Sequence, residues 1–452
     1  MSLWEYLLIA TNLNIMKKQL LGITLIFSLL NFCTLFKQED KITNREDYEQ
    51  YLNPAKEKVQ LKRIDTEIAF WQERFRSSSD DIVARAKIAS LLTQRFSYSG
   101  DIHELHRADS IYHLVNNLNR KNSSGTFRAM AANCVTQHKF LQAQLYIDSA
   151  LTLGDDKYQS VLMEFDIALE LGNKIRAEKA LNSLPDKNDF SYLIRESKYK
   201  DHVEGNLNEA ILSMERAWEK IKDGNNNAVK LWTKSNLGDL YGHANRFKKS
   251  YQCYLDVLTK DPEYYHALKG IAWLAYSKDK NVVEAKRIIH YLRQQHPVPD
   301  YDLLLSEIAS FENKPIEKLN WEQQFIRKIS NVMYGDMYNK YLFNLQANEL
   351  NDPKAALALA EKETGNRRTG EAFSWLAWAY LKNGQKEKAL KMAQYYVEEK
   401  CFEPDAVYYL GKIYLANGNT KLAKKYLEEA YESSYELGPS ATKEIKEALK
   451  QL

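Results

Sequence analysis

Between Phe373 and Ala430 the chain writes one pattern twice, displaced by 34 residues. The first copy is Phe373, Leu376-Ala377, Tyr380, Gly384, Ala389, Ala393 and Tyr396. The second is Val407, Leu410-Gly411, Tyr414, Gly418, Ala423, Leu427 and Ala430. A unit of roughly 34 residues cannot bury a core alone and must stack on its neighbours, which is the logic of a solenoid. Apolar residues recur at helical spacing on both sides of Gly384 and Gly418, so each copy reads as two helices joined by a glycine turn. The small residues Ala377, Gly411, Ala389 and Ala423 let paired helices approach closely, and the larger apolar residues fill the gaps.

The period extends upstream. Ala108, Ala143, Ala177, Ala210, Ser250 and Ala285 mark successive second helices, and after a weak slot near Leu319 come Ala356, Ala389 and Ala423. That makes about ten slots. Leu237-Gly238-Asp239-Leu240-Tyr241 completes a first-helix signature, and Pro262 and Pro297 close units. In spacing and chemistry this resembles the tetratricopeptide repeat. The resemblance implies an all-α chain: an α-solenoid, a right-handed superhelix of helix-turn-helix repeats, behind an N-terminal signal or anchor segment. The order of Phe70-Trp71, a long turn at Ser97–Glu104 and Asn351-Asp352-Pro353 is similar to a group of exported bacterial tetratricopeptide proteins, over about Ile68 to Ala448. That likeness implies an interaction protein with no catalytic residues to carry over.

The expected organisation follows. Residues 1–37 form a signal peptide or membrane anchor: Lys17-Lys18 precede the apolar run Leu20 to Phe36, with Met16 as the expected true start. The run is shorter than the ~20 residues that span a bilayer and longer than the roughly 7–15 of a cleaved core. Cys33 is the lipidation candidate, with Leu30 in place and Phe32 departing from the small residue such signals carry. Cleavage and an uncleaved anchor remain the alternatives. Each route places the body in the periplasm or cell envelope, membrane-anchored or as a lipoprotein. Residues 38–80 read as a polar tether and an N-terminal capping helix carrying Val59, Ile64, Ile68, Trp71 and Phe75. A first array covers 81–313, a degenerate repeat and bend 314–352, and repeat pairs 353–438. A capping helix at 439–452 buries Ile445, Ala448, Leu449 and Leu452.

Composition narrows function. A hydrophobic share of 44% supports a folded chain, and only 9 Pro and 17 Gly argue against a turn-rich β protein. With 63 basic and 60 acidic residues there is no basic excess of the kind nucleic-acid binding uses. Four widely spaced cysteines contain no CxxC pair. Phosphate-binding glycine loops, HExxH and GxSxG are all absent from the sequence. His103 and His106 read as solvated histidines at a helix start. No enzyme, cofactor or metal site is expected.

The resemblance also implies a functional surface, the inner wall lined by first helices. In the repeat's register the partner-binding groove takes Trp232, Asp239 and His243 from one unit and Lys269, Trp273 and Tyr276 from the next. Trp378 and Lys382, then Tyr408 and Lys412, come from the last two. Trp273 stands where a carboxylate-clamp asparagine would be, so an extended peptide or a helix is the expected ligand rather than a free C-terminus. The expected function is a protein–protein scaffold of the bacterial envelope. The alternative is a glycan- or solute-binding protein that stacks ligands on groove aromatics. Partner identity and oligomeric state stay open.

Overall fold

The computed structural model describes residues 41–53, 57–77 and 81–452. The expected signal segment, Met16 and Cys33 lie outside the described residues. Among those described there is no strand, and no helix is long and apolar enough to cross a membrane.

Ten helix pairs follow one another, and a backbone signature counts them. Gly100, His138, Gly172, Gly205, Asn245, Lys280, Asn313, Asn351, Gly384 and Gly418 all have positive φ. Each stands one residue before the N-cap of a second helix. A left-handed residue ends the first helix and reverses the chain, and glycine or asparagine meets that requirement at least cost. The following Asp or Asn often caps the next helix, as Asn173 accepts from Arg176 N–H at 3.1 Å and Asn419 from Leu422 N–H at 3.1 Å.

The fourth residue of most second helices is small and fully buried: Ala143, Ala177, Ala210, Ser250, Ala285, Ala356, Ala389 and Ala423. There the paired helices pack with no room for a larger group. In Pro315–Ile329 the same position is Lys318, whose ammonium leaves the crossing to pair with Glu322 at 3.5 Å and with Glu349. Leu319 is exposed, and the core is made by Phe325 instead. The next first helix, Asn339–Asn344, continues as a π turn over Leu345–Glu349. The helix Tyr265–Trp273 likewise continues as a π turn, Leu274–Lys278.

The array does not stay open. Pairs separated by 197 to 237 residues touch, so one superhelical turn takes about six to seven units. His202 Nδ1 lies 3.1 Å from Glu403 Oε1, Lys174 Nζ donates to Lys400 O, and Arg368 N–H donates to Leu171 O at 3.1 Å. Gly172, at φ +72°, lets the two backbones meet: a Cβ there would lie 2.4 Å from Arg368 O.

The expected polar tether is in fact a docked strap. Ile42 and Thr43 N–H groups donate to the Asp279 carboxylate at 2.9 and 2.8 Å. Tyr48 is fully buried and donates to Glu284 at 2.9 Å. Polar residues that read as solvated in sequence are here satisfied by the turn lying against them. The terminal helix also differs from expectation. It spans Ser434–Leu449 with a break at Gly438 and Pro439, buries Ile445 and Ala448, and leaves Leu452 exposed.

Gly172→Ala combines a left-handed alanine with a backbone clash and should cost about 1–3 kcal/mol. Urea unfolding should show a lower midpoint with helix content unchanged before the transition.

Candidate functional site

The first helices line the inside of the coil, and three cavities run along that wall. One of about 830 Å³ is bordered by Phe96, Tyr112, Tyr265, Tyr301 and Tyr338. A second, of about 500 Å³, shares His266, Lys269 and Asp300 with it. A third, of about 480 Å³, shares Glu307, Tyr341, Asn344 and Asp405 with the second. The shared residues make this a continuous path along the wall.

Its charges are paired across neighbouring first helices. Asp239 accepts from Tyr254 OH at 2.7 Å and faces His266 Nε2 at 2.9 Å. Lys269 sits 3.4 Å from Asp300, and Lys340 bridges Glu371 at 2.9 Å and Asp405 at 3.5 Å. Burial opposes the charged state of Asp239, Asp300, Glu371, Lys269 and Lys340, yet the opposite charge prevails. Asp239, Asp300 and Glu371 are held below the usual carboxylate range, and Lys269 and Lys340 above the usual lysine value. His296, stacked on Tyr265, is pushed down to about 4 chiefly by burial and is neutral at neutral pH.

Asp239, His243, Lys269 and Trp273 stand on the wall of the second cavity. Trp378, Lys382, Tyr408 and Lys412 border the third. Two residues expected in the groove lie elsewhere. Tyr276 is fully buried, donating to Glu307 at 3.0 Å, because its helix has switched to π geometry there. Trp232 packs against the Ile211–Met214–Leu237 cluster. Trp378 is only 6% exposed, stacks on Tyr409 at 4.7 Å and donates to Asn348 at 2.9 Å. It is a core residue with one edge on the cavity, and truncating it would cost ~3–5 kcal/mol of packing. Tyr408 already donates to Glu444 at 2.8 Å. His106, read as solvated in sequence, is half-buried, and its Nε2 lies 2.8 Å from Met333 O.

Sequence reasoning missed Lys340, Glu307, Phe247 and Tyr435. The last was signalled by Gly438-Pro439, which interrupts the terminal helix between Tyr435 and the Ile445–Ala448 stripe. Tyr435 lies between Phe247 and Trp273, and its carbonyl accepts from Trp273 Nε1 at 3.0 Å and Ser277 Oγ at 2.7 Å. The chain's own C-terminal segment therefore lies on the predicted wall.

Two family models, each described as tetratricopeptide repeat, match residues 371–399 and 404–436. Residues 371–399 and 404–436 are thus tetratricopeptide repeats. Repeats of this type are interaction modules, and helix-pair stacking accounts for the ten pairs described here. No curated protein matches the sequence. Among solved structures, the human IFIT1 dimer with PPP-AAAA is similar at 13% identity, covering 77% of this chain and 72% of that one, with a TM-score of 0.43. YrrB, a tetratricopeptide-repeat protein with an unusual peptide-binding site, is 17% identical over 44% of this chain and 95% of its own, at a TM-score of 0.25. A tetratricopeptide-repeat protein from Parabacteroides merdae is 14% identical over 72% and 97%, at 0.28. At these scores the likenesses carry no functional argument.

The His202–Glu403 contact joins two turns of this repeat coil and should depend on pH. The hydrogen bond to Glu403 raises His202 above its ordinary 6.5, burial acting against it. Burial also opposes Glu403, but His202 and Lys340 hold it down to about 2, against an ordinary 4.5. The histidine's contribution is complete below pH 6.5 and is lost as pH rises through the raised value. The glutamate's is complete above 4.5 and is lost as pH falls towards 2. The contact is thus strongest between those limits. An NMR titration should place the His202 ring above 6.5, and Glu403→Gln should bring it back down.

Proposed function

We propose that this protein is a non-enzymatic scaffold of the bacterial cell envelope that holds a peptide segment or helix of another protein against the inner wall of its superhelix. The observation that carries the reading is the connected run of cavities along the first helices, where aromatic edges alternate with paired charges. An extended chain has backbone donors and acceptors at regular intervals, and such a wall can meet them while the aromatic edges supply the anchoring area. Envelope placement is supported by the sequence pattern Lys17-Lys18 followed by Leu20 to Phe36, with Cys33 as the residue a lipid would modify.

Glycan or solute binding is the second reading, favoured by the tyrosine-rich cavity of about 830 Å³. Its rings are already engaged, however. Tyr265 stacks on His296, Tyr301 OH is 3.2 Å from His296 Nδ1, and Tyr338 donates to Asp300 at 2.8 Å. Stacking a sugar on Tyr265 would require displacing His296, and the hydroxyls of Tyr301 and Tyr338 already have partners, so the protein-ligand reading is preferred.

Mild cross-linking in the native cell, followed by isolation of this chain, should yield a stoichiometric protein partner in the membrane fraction. Lys382→Glu with Lys412→Glu, neither of them a buried residue, should reduce that capture by about tenfold, as expected for reversing two rim charges worth ~1.4 kcal/mol together. Isolation of the chain alone with the fold intact would overturn the reading.

A further inference from the structure

The last repeat ends at Glu432, and the chain continues Ser433-Ser434-Tyr435-Glu436-Leu437-Gly438-Pro439-Ser440 before the terminal helix resumes. Gly438, at φ 82° and ψ 168°, is outside helical geometry, and Pro439 brings no N–H. The break separates two jobs. Ile445 and Ala448, beyond it, close the apolar end of the last unit. The residues around the break reach back to helices more than 100 positions earlier in the chain, which a cap has no need to do.

Those contacts are specific. The Tyr435 ring sits over Gly242, where a Cβ would come within 2.9 Å of it, and against Phe247, with ring centres 4.9 Å apart. Its backbone carbonyl collects two side-chain donors, from Trp273 and Ser277. The Glu436 carboxylate lies 3.6 Å from His243, and Ser440 N–H donates to Glu307 at 3.4 Å. A slot for one aromatic ring, two donors fixed on the following carbonyl and a histidine beside the next carboxylate make a peptide-recognition arrangement, filled here from within the chain.

We infer that the slot made by Gly242, His243, Phe247, Trp273, Ser277 and Glu307 recognises a partner segment that presents, on a short helical turn, an aromatic residue followed by an acidic one, and that Tyr435–Ser440 is a tethered stand-in holding the slot shut. This rests on the scaffold reading and specifies its ligand. A tethered competitor acts at an effective concentration on the order of millimolar, so the wild-type chain should bind such a segment in trans at least ~10-fold more weakly than a chain with an empty slot.

The probe is a fluorescein-labelled peptide of residues 433–441, read by anisotropy against the full-length chain. Tyr435→Ala should bind it at least ~10-fold more tightly than wild type, and adding Gly242→Leu, which fills the slot from a helix position, should abolish binding. Equal affinity for wild type and Tyr435→Ala, or no binding to a Tyr435→Ala chain with wild-type circular dichroism, would overturn the inference. Should Tyr435→Ala misfold, hydrogen exchange in the wild-type chain decides. Saturating peptide should speed exchange at Tyr435–Ser440, and unchanged exchange would count against the inference. A partner captured in cells equally by wild type and Tyr435→Ala with Gly242→Leu would sink the slot and leave the scaffold standing. No captured partner at all would remove both.

Discussion

The contact between successive turns of the superhelix is what the rest of the structure depends on. A repeat array whose units touch only their neighbours has a stability that is nearly a sum of local terms. Here Gly172 meets Arg368, His202 meets Glu403 and Tyr48 meets Glu284. Units six or seven places apart thereby become neighbours, and the inner wall becomes a partly covered path.

Partial cover explains the electrostatics. In an open groove, charges such as Lys340, Glu371 and Asp405 would be well hydrated and their pairing would be worth little. Partly withdrawn from water, each would be costlier unless matched, and the wall is built so that first helices supply alternating partners. Desolvation by the same surroundings raises Asp201 and Glu170 above the usual carboxylate range. A ligand entering this path would meet paired charges at Asp239, Lys269 and Lys340, with Lys382 and Lys412 bordering the third cavity. Selectivity would then come from shape and from a few directed donors, as at the Tyr435 carbonyl.

Much of this was legible in the sequence because the repeat is written in residues with narrow tolerances. A buried alanine at the helix crossing and a left-handed residue at the turn leave few substitutes, so Ala143 through Ala423 could be read directly. The trace faded where Lys318 occupies the crossing, since a lysine that escapes to Glu322 and Glu349 has no small-residue signature. The strap at Ile42–Tyr51 looked like a tether because its polar groups are satisfied across more than 200 residues, by Asp279 and Glu284. Local pattern holds no record of such a partner. Groove positions were readable as a register but not as availability. The π turn carried Tyr276 inside, stacking drew Trp378 into the core, and the chain's own Tyr435 took the place beside Trp273.

The most direct measurement of the closed coil is residue-resolved hydrogen exchange at Arg368. Its amide lies in the connection between two helices, where an open solenoid would leave it to solvent, yet here it donates to Leu171 O across the turn contact at 3.1 Å. The account predicts slow exchange at Arg368, comparable to the helices on either side. Exchange at the rate of a free loop, with those helices still protected, would contradict it.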